Sequence, residues 1–339
     1  MGKRKIDQVN DHENYPSSKK IKETDKIILE DVPRDCIGEI IKFLPTSHWI
    51  KFSYTCKRVN QFKYEDRLMV HKKRTLDRSL NANEIEQGFK ASRGTLFNVD
   101  LNANIIDKNK TVQNFHFQYF EGTIHTLNMD YCKLITDEAF QHLRGIRKLS
   151  MQRCKQITDD AFRHLQGSIH ALNIEYCDRI TNDAFQYLKE SIHTLNMDYC
   201  ELITDEAFQH LRGIRKLSIQ GCKQITDDAF RYLQGSIHDL DITDCAQITD
   251  SAFQHLKGIR MLRMTGCKQI TDDAFRYLQG SIRKLEMYHC RQETITEKMF
   301  DYIEGTIEQL RMGGDRVRLT NSEKYLEVMG LIERRKKGP

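Results

Sequence analysis

Eight cysteines recur every 22 or 23 residues, at Cys132, Cys154, Cys177, Cys200, Cys222, Cys245, Cys267 and Cys290. Most stand in one frame, L-x-[IM]-x-x-C-x-x-I-T-[DN]-x-A-F-x-x-L. A unit of this length cannot bury its apolar side alone, so neighbouring units must stack, and the stack is a solenoid. The period therefore assigns most of the chain to scaffold and restricts where any chemistry could sit.

Within one unit, Leu127 and Met129 alternate with Asn128 and Asp130 as a short strand. Cys132 follows at a turn. Thr136 is placed to cap a helix, and Asp137 and Glu138 fall in the first turn, where negative charge is favoured. Ala139, Phe140 and Leu143 form the buried side of that helix, and Gly145 ends it. Units of 23 residues carry an extra residue in the return, as in Gly167-Ser168-Ile169 against Gly145-Ile146, so strand register is kept. The pattern predicts an α/β solenoid, a horseshoe with parallel strands on the concave face and short helices on the convex face.

The regular units span 122–312. Before them, 66–121 reads as a linker and a degenerate first repeat, because Gly94-Thr95-Leu96 and Val99-Asp100-Leu101 echo Gly122-Thr123-Ile124 and Leu127-Asn128-Met129. After them, 313–339 reads as a cap helix and basic tail, with Tyr325, Leu326, Met329 and Leu331 apolar. Residues 1–26 are a polar tail too poor in apolar surface to order itself. Residues 27–65 form a small all-α module in which Ile37, Ile40, Ile41 and Leu44 share one helix face behind Pro33. A module this small is marginal alone, so part of its surface must pack elsewhere.

Charge narrows the function classes. The 53 Lys and Arg are interspersed with 48 Asp and Glu for a net charge of +5, which is not the concentrated basic face of a nucleic-acid binder. No apolar run approaches the roughly 20 residues of a membrane span. The opening Met-Gly-Lys-Arg-Lys lacks an apolar signal segment, and Ile6 stands where a myristoylation motif needs Ser or Thr. The expectation is a cytoplasmic or nuclear chain with reduced thiols, without a membrane or nucleic-acid partner. Lys3-Arg4-Lys5 and Lys19-Lys20 with Lys22 have the layout of a bipartite nuclear import signal.

The repeat frame resembles the cysteine-containing class of leucine-rich repeat, with few departures: Glu190 for Gly, Asn182 for Asp, and an insertion before Ile295-Thr296. Leu29, Val32, Pro33, Asp35, Ile37, Ile40, Ile41, Phe43 and Leu44, followed by Cys56-Lys57, resemble an F-box, with Val59 where an aromatic is common. The whole is similar to the F-box/leucine-rich-repeat family. Its Ile-, Lys- and Asn-rich usage is similar to families expanded in amoebae and large amoebal viruses; for a viral chain the compartment would be the host's.

The resemblance implies a non-catalytic substrate-recognition subunit of an SCF-type ubiquitin ligase. The F-box would dock a Skp-type adaptor through Val32, Pro33, Ile37, Ile40, Ile41, Leu44 and Trp49, and the adaptor would dock a cullin–RING ligase. The repeats would hold a protein substrate. The alternative is an interaction scaffold or stoichiometric inhibitor that recruits no ligase.

Three constellations could carry chemistry or binding. Thiols stacked at about one strand spacing, ~5 Å, cannot converge into a tetrahedral zinc site, so the cysteines read as small buried ladder residues and neither metal nor cofactor is implied. His142, His164, His210 and His255 exchange with Tyr187, Tyr232 and Tyr277 at one position, which argues for packing over acid–base work. The outward strand positions remain as the binding surface, and the candidates are Asp130, Tyr131, Glu175, Tyr176, Asp198, Tyr199, Asp241, Arg263, Glu286 and Tyr288. Residues 124–168 and 192–236 differ at only four positions, Lys133/Glu201, Met151/Ile219, Arg153/Gly221 and His164/Tyr232. Such copying shifts the expected specificity to the less redundant stretches 239–244, 261–265 and 284–289.

Overall fold

The computed structural model describes residues 98–101, 112–290, 294–313, 320 and 322–337. The tail, the 27–65 module with Val32 to Trp49, and most of the linker lie outside the described residues. Among the described residues, ten parallel strands form one open sheet in chain order. They are β1 (Asn98–Asp100), β2 (Thr126–Asn128), β3 (Lys148–Ser150), β4 (Ala171–Asn173) and β5 (Thr194–Asn196). Then come β6 (Lys216–Ser218), β7 (Asp239–Asp241), β8 (Met261–Arg263), β9 (Lys284–Tyr288) and β10 (Gln309–Gly313).

One leucine per strand sets the register. Leu127 pairs with Leu149, Leu149 with Leu172, and so on to Leu285 with Leu310. Val99 lies opposite Leu127, so Asn98–Asp100 joins the sheet as its first described strand. Behind each strand, the Leu, Ile or Met, Cys, Ile, Ala, Phe and Leu of the frame merge into one continuous core.

The return segments are tighter than the sequence pattern suggests. Asp137–His142, Asp159–His164, Asn182–Tyr187, Asp205–His210 and Asp227–Tyr232 are six-residue 3₁₀ helices. Among the described return segments, α1 (Asp250–Phe253), α2 (Asp272–Phe275) and α3 (Lys298–Ile303) are α-helical. A 3₁₀ turn has three residues per turn, so Phe140 and Leu143 project from one side and both reach zero exposure. It also rises further per residue, which spans the return with few residues.

The threonine at each helix start does something the pattern did not predict. Its hydroxyl makes its shortest bond between repeats: Thr158 Oγ1 donates to Asp137 Oδ2 at 2.6 Å while Thr158 N donates to Asp137 Oδ1 at 2.8 Å. The same pair recurs at Asp159/Thr181, Asp205/Thr226, Asp227/Thr249 and Asp250/Thr271. Asn182 keeps the joint with its polarity reversed: its Oδ1 accepts from Thr204 N and its Nδ2 donates to Thr204 Oγ1. That explains why Asn is tolerated there.

Gly145, Gly167 and Gly213 leave their helices with φ of 85°, 73° and 87°. Glu190 occupies the same place at φ 66°, a left-handed conformation that strains a residue bearing Cβ. Glu190→Gly is expected to raise stability by about 1 kcal/mol in urea melts.

The last helix, α4 (Glu323–Lys337), begins where Ser322 Oγ accepts from Tyr325 N. Its inward stripe is Tyr325, Val328, Met329 and Ile332, at 3- and 4-residue steps. Leu326, expected on the apolar side, is 61% exposed, and Leu331 is only half-buried.

Candidate protein-binding face

The face opposite the core carries the first and third residue of each strand. Over β2–β6 these are short or uncharged except for Lys148 and Lys216: Thr126, Asn128, Ser150, Ala171, Asn173, Thr194, Asn196 and Ser218. They floor a trough of about 400 Å³. Over β7–β10 the same positions fill with paired charge. Arg263 lies 3.5 Å from Asp239, 4.0 Å from Asp241 and 3.5 Å from Glu286, and Arg311 sits 3.1 Å from Glu286. The structure thus brings the candidates Asp241, Arg263 and Glu286 into one network that largely neutralises itself. Tyr288 stands beyond it at the end of β9, exposed.

Two other candidates are not free surface. Asp130 and Asp198 are each only 8% exposed. Asp130 Oδ1 accepts from Ser150 Oγ at 2.6 Å and Gln152 N at 2.8 Å, tying one repeat to the next. Asp198 repeats this with Ser218 and Gln220. Strand alternation correctly turned these carboxylates away from the core, but it could not show the next repeat folding over them. Burial pushes the Asp198 carboxyl above the ordinary carboxylate range, helped by the charges of Asp241 and Glu175 and opposed by the two hydrogen bonds. A raised carboxylate stabilises the fold only while protonated, so this contribution is present below its unfolded value, about pH 4, and is lost as pH rises through the folded one. Asp198→Asn, whose Oδ1 can accept both bonds, is expected to be more stable than wild type at pH 7. Thermal melts should show the difference fading toward pH 4.

The tyrosines converge along the edge where the strands end. Arg153 lies 5.6 Å from the Tyr131 ring and 4.4 Å from the Tyr176 ring; Tyr176 and Tyr199 stack at 4.5 Å with planes 6° apart. Tyr199 Oη accepts from Gln220 Nε2 at 2.8 Å, and its ring covers Gly221, where a Cβ would come within 2.5 Å. Glu175 is half-buried beside this stack. Arg153 was missed, although it stands one residue before its cysteine just as Tyr131, Tyr176 and Tyr199 do.

The opposite edge was also missed. The residue before each of β2–β5 is His125, Arg147, His170 or His193, and before β6–β9 it is Arg215, His238, Arg260 or Arg283. The histidines share a local reason. In 23-residue returns the extra residue offers a carbonyl, and Nδ1 of His170, His193 and His238 lies 2.6–2.8 Å from that of Ser168, Ser191 and Ser236. In the shorter returns at Arg147, Arg215 and Arg260 the side chain is exposed. Among the described residues no ion pair engages Arg147, Lys148, Arg215 or Arg260.

The cysteines lie beneath the face. Each thiol reaches a carbonyl of the preceding repeat, as Cys154 Sγ to Met129 O at 3.1 Å and Cys200 Sγ to Ile174 O at 3.2 Å. Burial pushes Cys177, Cys222 and Cys267 up to about 12 and Cys290 to about 11. The thiolate is the nucleophile, so these groups are inert near neutrality. Iodoacetamide at pH 8 should leave the ladder unlabelled in native protein and label it in urea, read by peptide mass spectrometry; labelling of native Cys200 would contradict this. Among the described residues no three His, Cys, Asp or Glu side chains gather to hold a metal, and no helix is long and apolar enough to cross a membrane.

A one-dimensional stack with an open parallel sheet and a long polar face defines a protein-interaction solenoid. A model for the BspA-type leucine-rich repeat region matches in six copies over 79–191 and 178–306, and the chain belongs to the leucine-rich-repeat family. An F-box domain model matches residues 29–67, so the chain combines an F-box with leucine-rich repeats. A chain in the crystal structure of the yeast Rad7–Elc1 complex is similar at 15% identity and TM-score 0.52, covering 65% of this chain and 62% of that one. A chain in the TLR13–ssRNA13 complex is similar at 16% identity and TM-score 0.51, covering 73% of this chain and 36% of that one. This chain thus spans less than two thirds of either relative, and at these identities the likeness shows the fold alone. Comparison with curated proteins gives no significant match.

Proposed function

We propose that the chain is a substrate receptor of an SCF-type ubiquitin ligase. The observation that carries this reading is the F-box match at 29–67 directly upstream of a repeat sheet with an open face. The F-box would dock a Skp-type adaptor, with Val32, Pro33, Ile37, Ile40, Ile41, Leu44 and Trp49 as the contact stripe, and the adaptor would bring a cullin–RING ligase. The repeats contribute position: a substrate held on the face has its lysines near a charged conjugating enzyme, and proximity replaces chemistry supplied by this chain. A structural relative was crystallised in an assembly of two named proteins, Rad7 and Elc1, which accords with a repeat protein that works bound to a partner.

Co-purification from cells tests the reading. The wild type is expected to bring down a Skp-type adaptor and a cullin, and Ile41→Asp to lose both. If the wild type brings down neither, or Ile41→Asp changes nothing, the chain acts as a scaffold or inhibitor without a ligase.

A further inference from the structure

The interspersed charges of the sequence are sorted by the fold onto opposite edges. Where each unit passes from its helix into the next strand it follows one edge, formed by 141–148, 163–171, 186–194, 209–216, 231–239, 254–261 and 276–284. These stretches hold 14 Lys and Arg against two acids, Glu190 and Asp239. All 14 cations are exposed. Where each unit passes from strand to helix it follows the other edge, formed by 131–138, 153–160, 176–183, 199–206, 221–228, 244–251 and 266–273. That edge holds 15 acids and 6 cations. Neighbours in space are a full period apart in sequence, so a count along the chain averages the two edges away.

The fold makes little use of the basic edge. Among the described residues, ion pairs engage Arg163, Lys189 and Lys216 at 3.9 Å and Arg283 at 3.1 Å, and none engages the other ten cations. Burial, and then the charges of Arg163 and Arg144, hold His164 below the ordinary histidine range, so cations of successive units act together on one ring. Like charges gathered in this way oppose folding by self-repulsion. The run Arg-Gly-Ile-Arg-Lys nonetheless stands at 144–148 and again at 212–216.

Charge density selects the anion that would neutralise this row. From β3 to β9 is six strand steps. That is about 29 Å, so the edge carries one cation per roughly 2 Å. Duplex nucleic acid carries one phosphate per about 1.7 Å of its axis. An α-helical peptide of the same length has about 19 residues, and about three in four would have to be acidic to match. Nine of the cations are Arg, whose planar fork pairs with two phosphate oxygens at once. Arg231 lies 5.0 Å from the Tyr232 ring and Arg276 5.0 Å from the Tyr277 ring. These rings hold guanidiniums, whereas a single-strand site offers open rings for bases to stack on. The exposed large apolar side chains that could enter a membrane, Phe115, Leu134, Leu202, Tyr288 and Leu326, all lie off this edge.

We propose that the basic edge binds double-stranded nucleic acid through its phosphates, irrespective of sequence, with the 144–148 and 212–216 runs as its densest contacts. The proposal is independent of the receptor reading and uses a different surface from the strand face.

Fluorescence anisotropy of the purified full chain with a labelled mixed-sequence DNA duplex of about 20 base pairs, titrated with salt, tests it. Each cation on a phosphate contributes about 1 to the slope of log K against log salt. Arg212→Gln, Arg215→Gln and Lys216→Gln together should weaken binding at least tenfold and reduce that slope by about 3. Arg144→Gln, Arg147→Gln and Lys148→Gln together should do the same. Lys133→Gln, Lys155→Gln and Lys268→Gln, at exposed positions on the acidic edge, remove as much charge and should change affinity less than twofold. The basic tail is common to every variant and cancels in the comparison. A single strand of the same length should bind less tightly than the duplex. The inference is overturned if the duplex does not bind, if either basic-edge triplet binds as wild type does, or if the acidic-edge control loses as much. It is equally overturned if the single strand binds more tightly, or if phosphatidylcholine vesicles with one third phosphatidylserine displace the duplex at equal anionic charge. Adaptor co-purification reads residues 29–67, which every variant keeps, so the two proposals fail separately.

Discussion

Phe208→Ala is expected to lower the unfolding free energy by about 3–5 kcal/mol, measured by urea denaturation followed by circular dichroism. Phe117, Phe120, Phe140, Phe162, Phe185, Phe208, Phe230, Phe253, Phe275 and Phe300 are all fully buried. Each repeat from Phe140 to Phe300 contributes one, so a ring in mid-array has a ring-bearing unit on either side. Those neighbours are fixed by the strand register and by the Asp–Thr joints of their own units, so they cannot close over the space left by Phe208. The cavity term therefore adds nearly in full to the lost transfer free energy. In a one-dimensional stack stability is a sum of unit and interface terms, so the transition should also broaden as the two halves uncouple. Phe115→Ala is the control: Phe115 is 47% exposed, and its loss should register within about 0.5 kcal/mol. A cost below about 1 kcal/mol for Phe208→Ala would mean that the ring is not packed as described.

Truncation after Asn321 is the second large effect. It removes α4, which buries Val328 and Ile332 and sets Tyr325 against Phe300 with ring centroids 6.1 Å apart. Arg335 closes the last repeat by donating to the carbonyls of Ile307, Glu304 and Gly305 at 2.7–3.0 Å. Lys324 adds a 2.9 Å pair with Glu304. Two fully buried aliphatic side chains are worth about 1.5–3 kcal/mol each, so the terminal unit should lose about 3–6 kcal/mol. Solenoid ends need a cap with a polar outer face, and an uncapped Phe300–Ile303 surface should associate with other copies. Hydrogen exchange should show 298–313 opening while the strands at 126–218 keep their protection, with light scattering reporting aggregates. Unchanged protection at 298–313 would show that α4 is not the cap.

Much of this architecture is written in single side chains. The Leu-x-[IM] alternation, the cysteine and the Ala-Phe pair each report their own burial, because burial depends on which side of the local backbone a residue takes. Features that depend on the next unit are less legible. Thr158 looks like a local cap, yet its shortest bond runs to Asp137, 21 residues upstream. Asp130 looks like exposed surface, yet Ser150 and Gln152 close over it. The return segments read as helix without revealing their 3₁₀ winding, because a six-residue stretch cannot separate a period of 3.0 from 3.6. The tyrosines read one by one as outward anchors, but their stacking partner Arg153 has a different chemistry, so the aromatic pattern does not reveal it. The expected weight on 239–244, 261–265 and 284–289 met a self-paired charge network, which individual residues do not announce.

The joints between units have one further consequence. Asp137–Thr158 and Asp205–Thr226 are the same joint with the same bond lengths, and Lys148 and Lys216 enter the sheet in the same register. A gene segment cut at one joint and inserted at another would meet a matching surface at both ends. Unequal recombination can therefore lengthen or shorten this protein by three units while the two ends stay as they are. The number of units is open to inheritance in a way that the residues inside each unit are not, and the span of the face can evolve ahead of its detail.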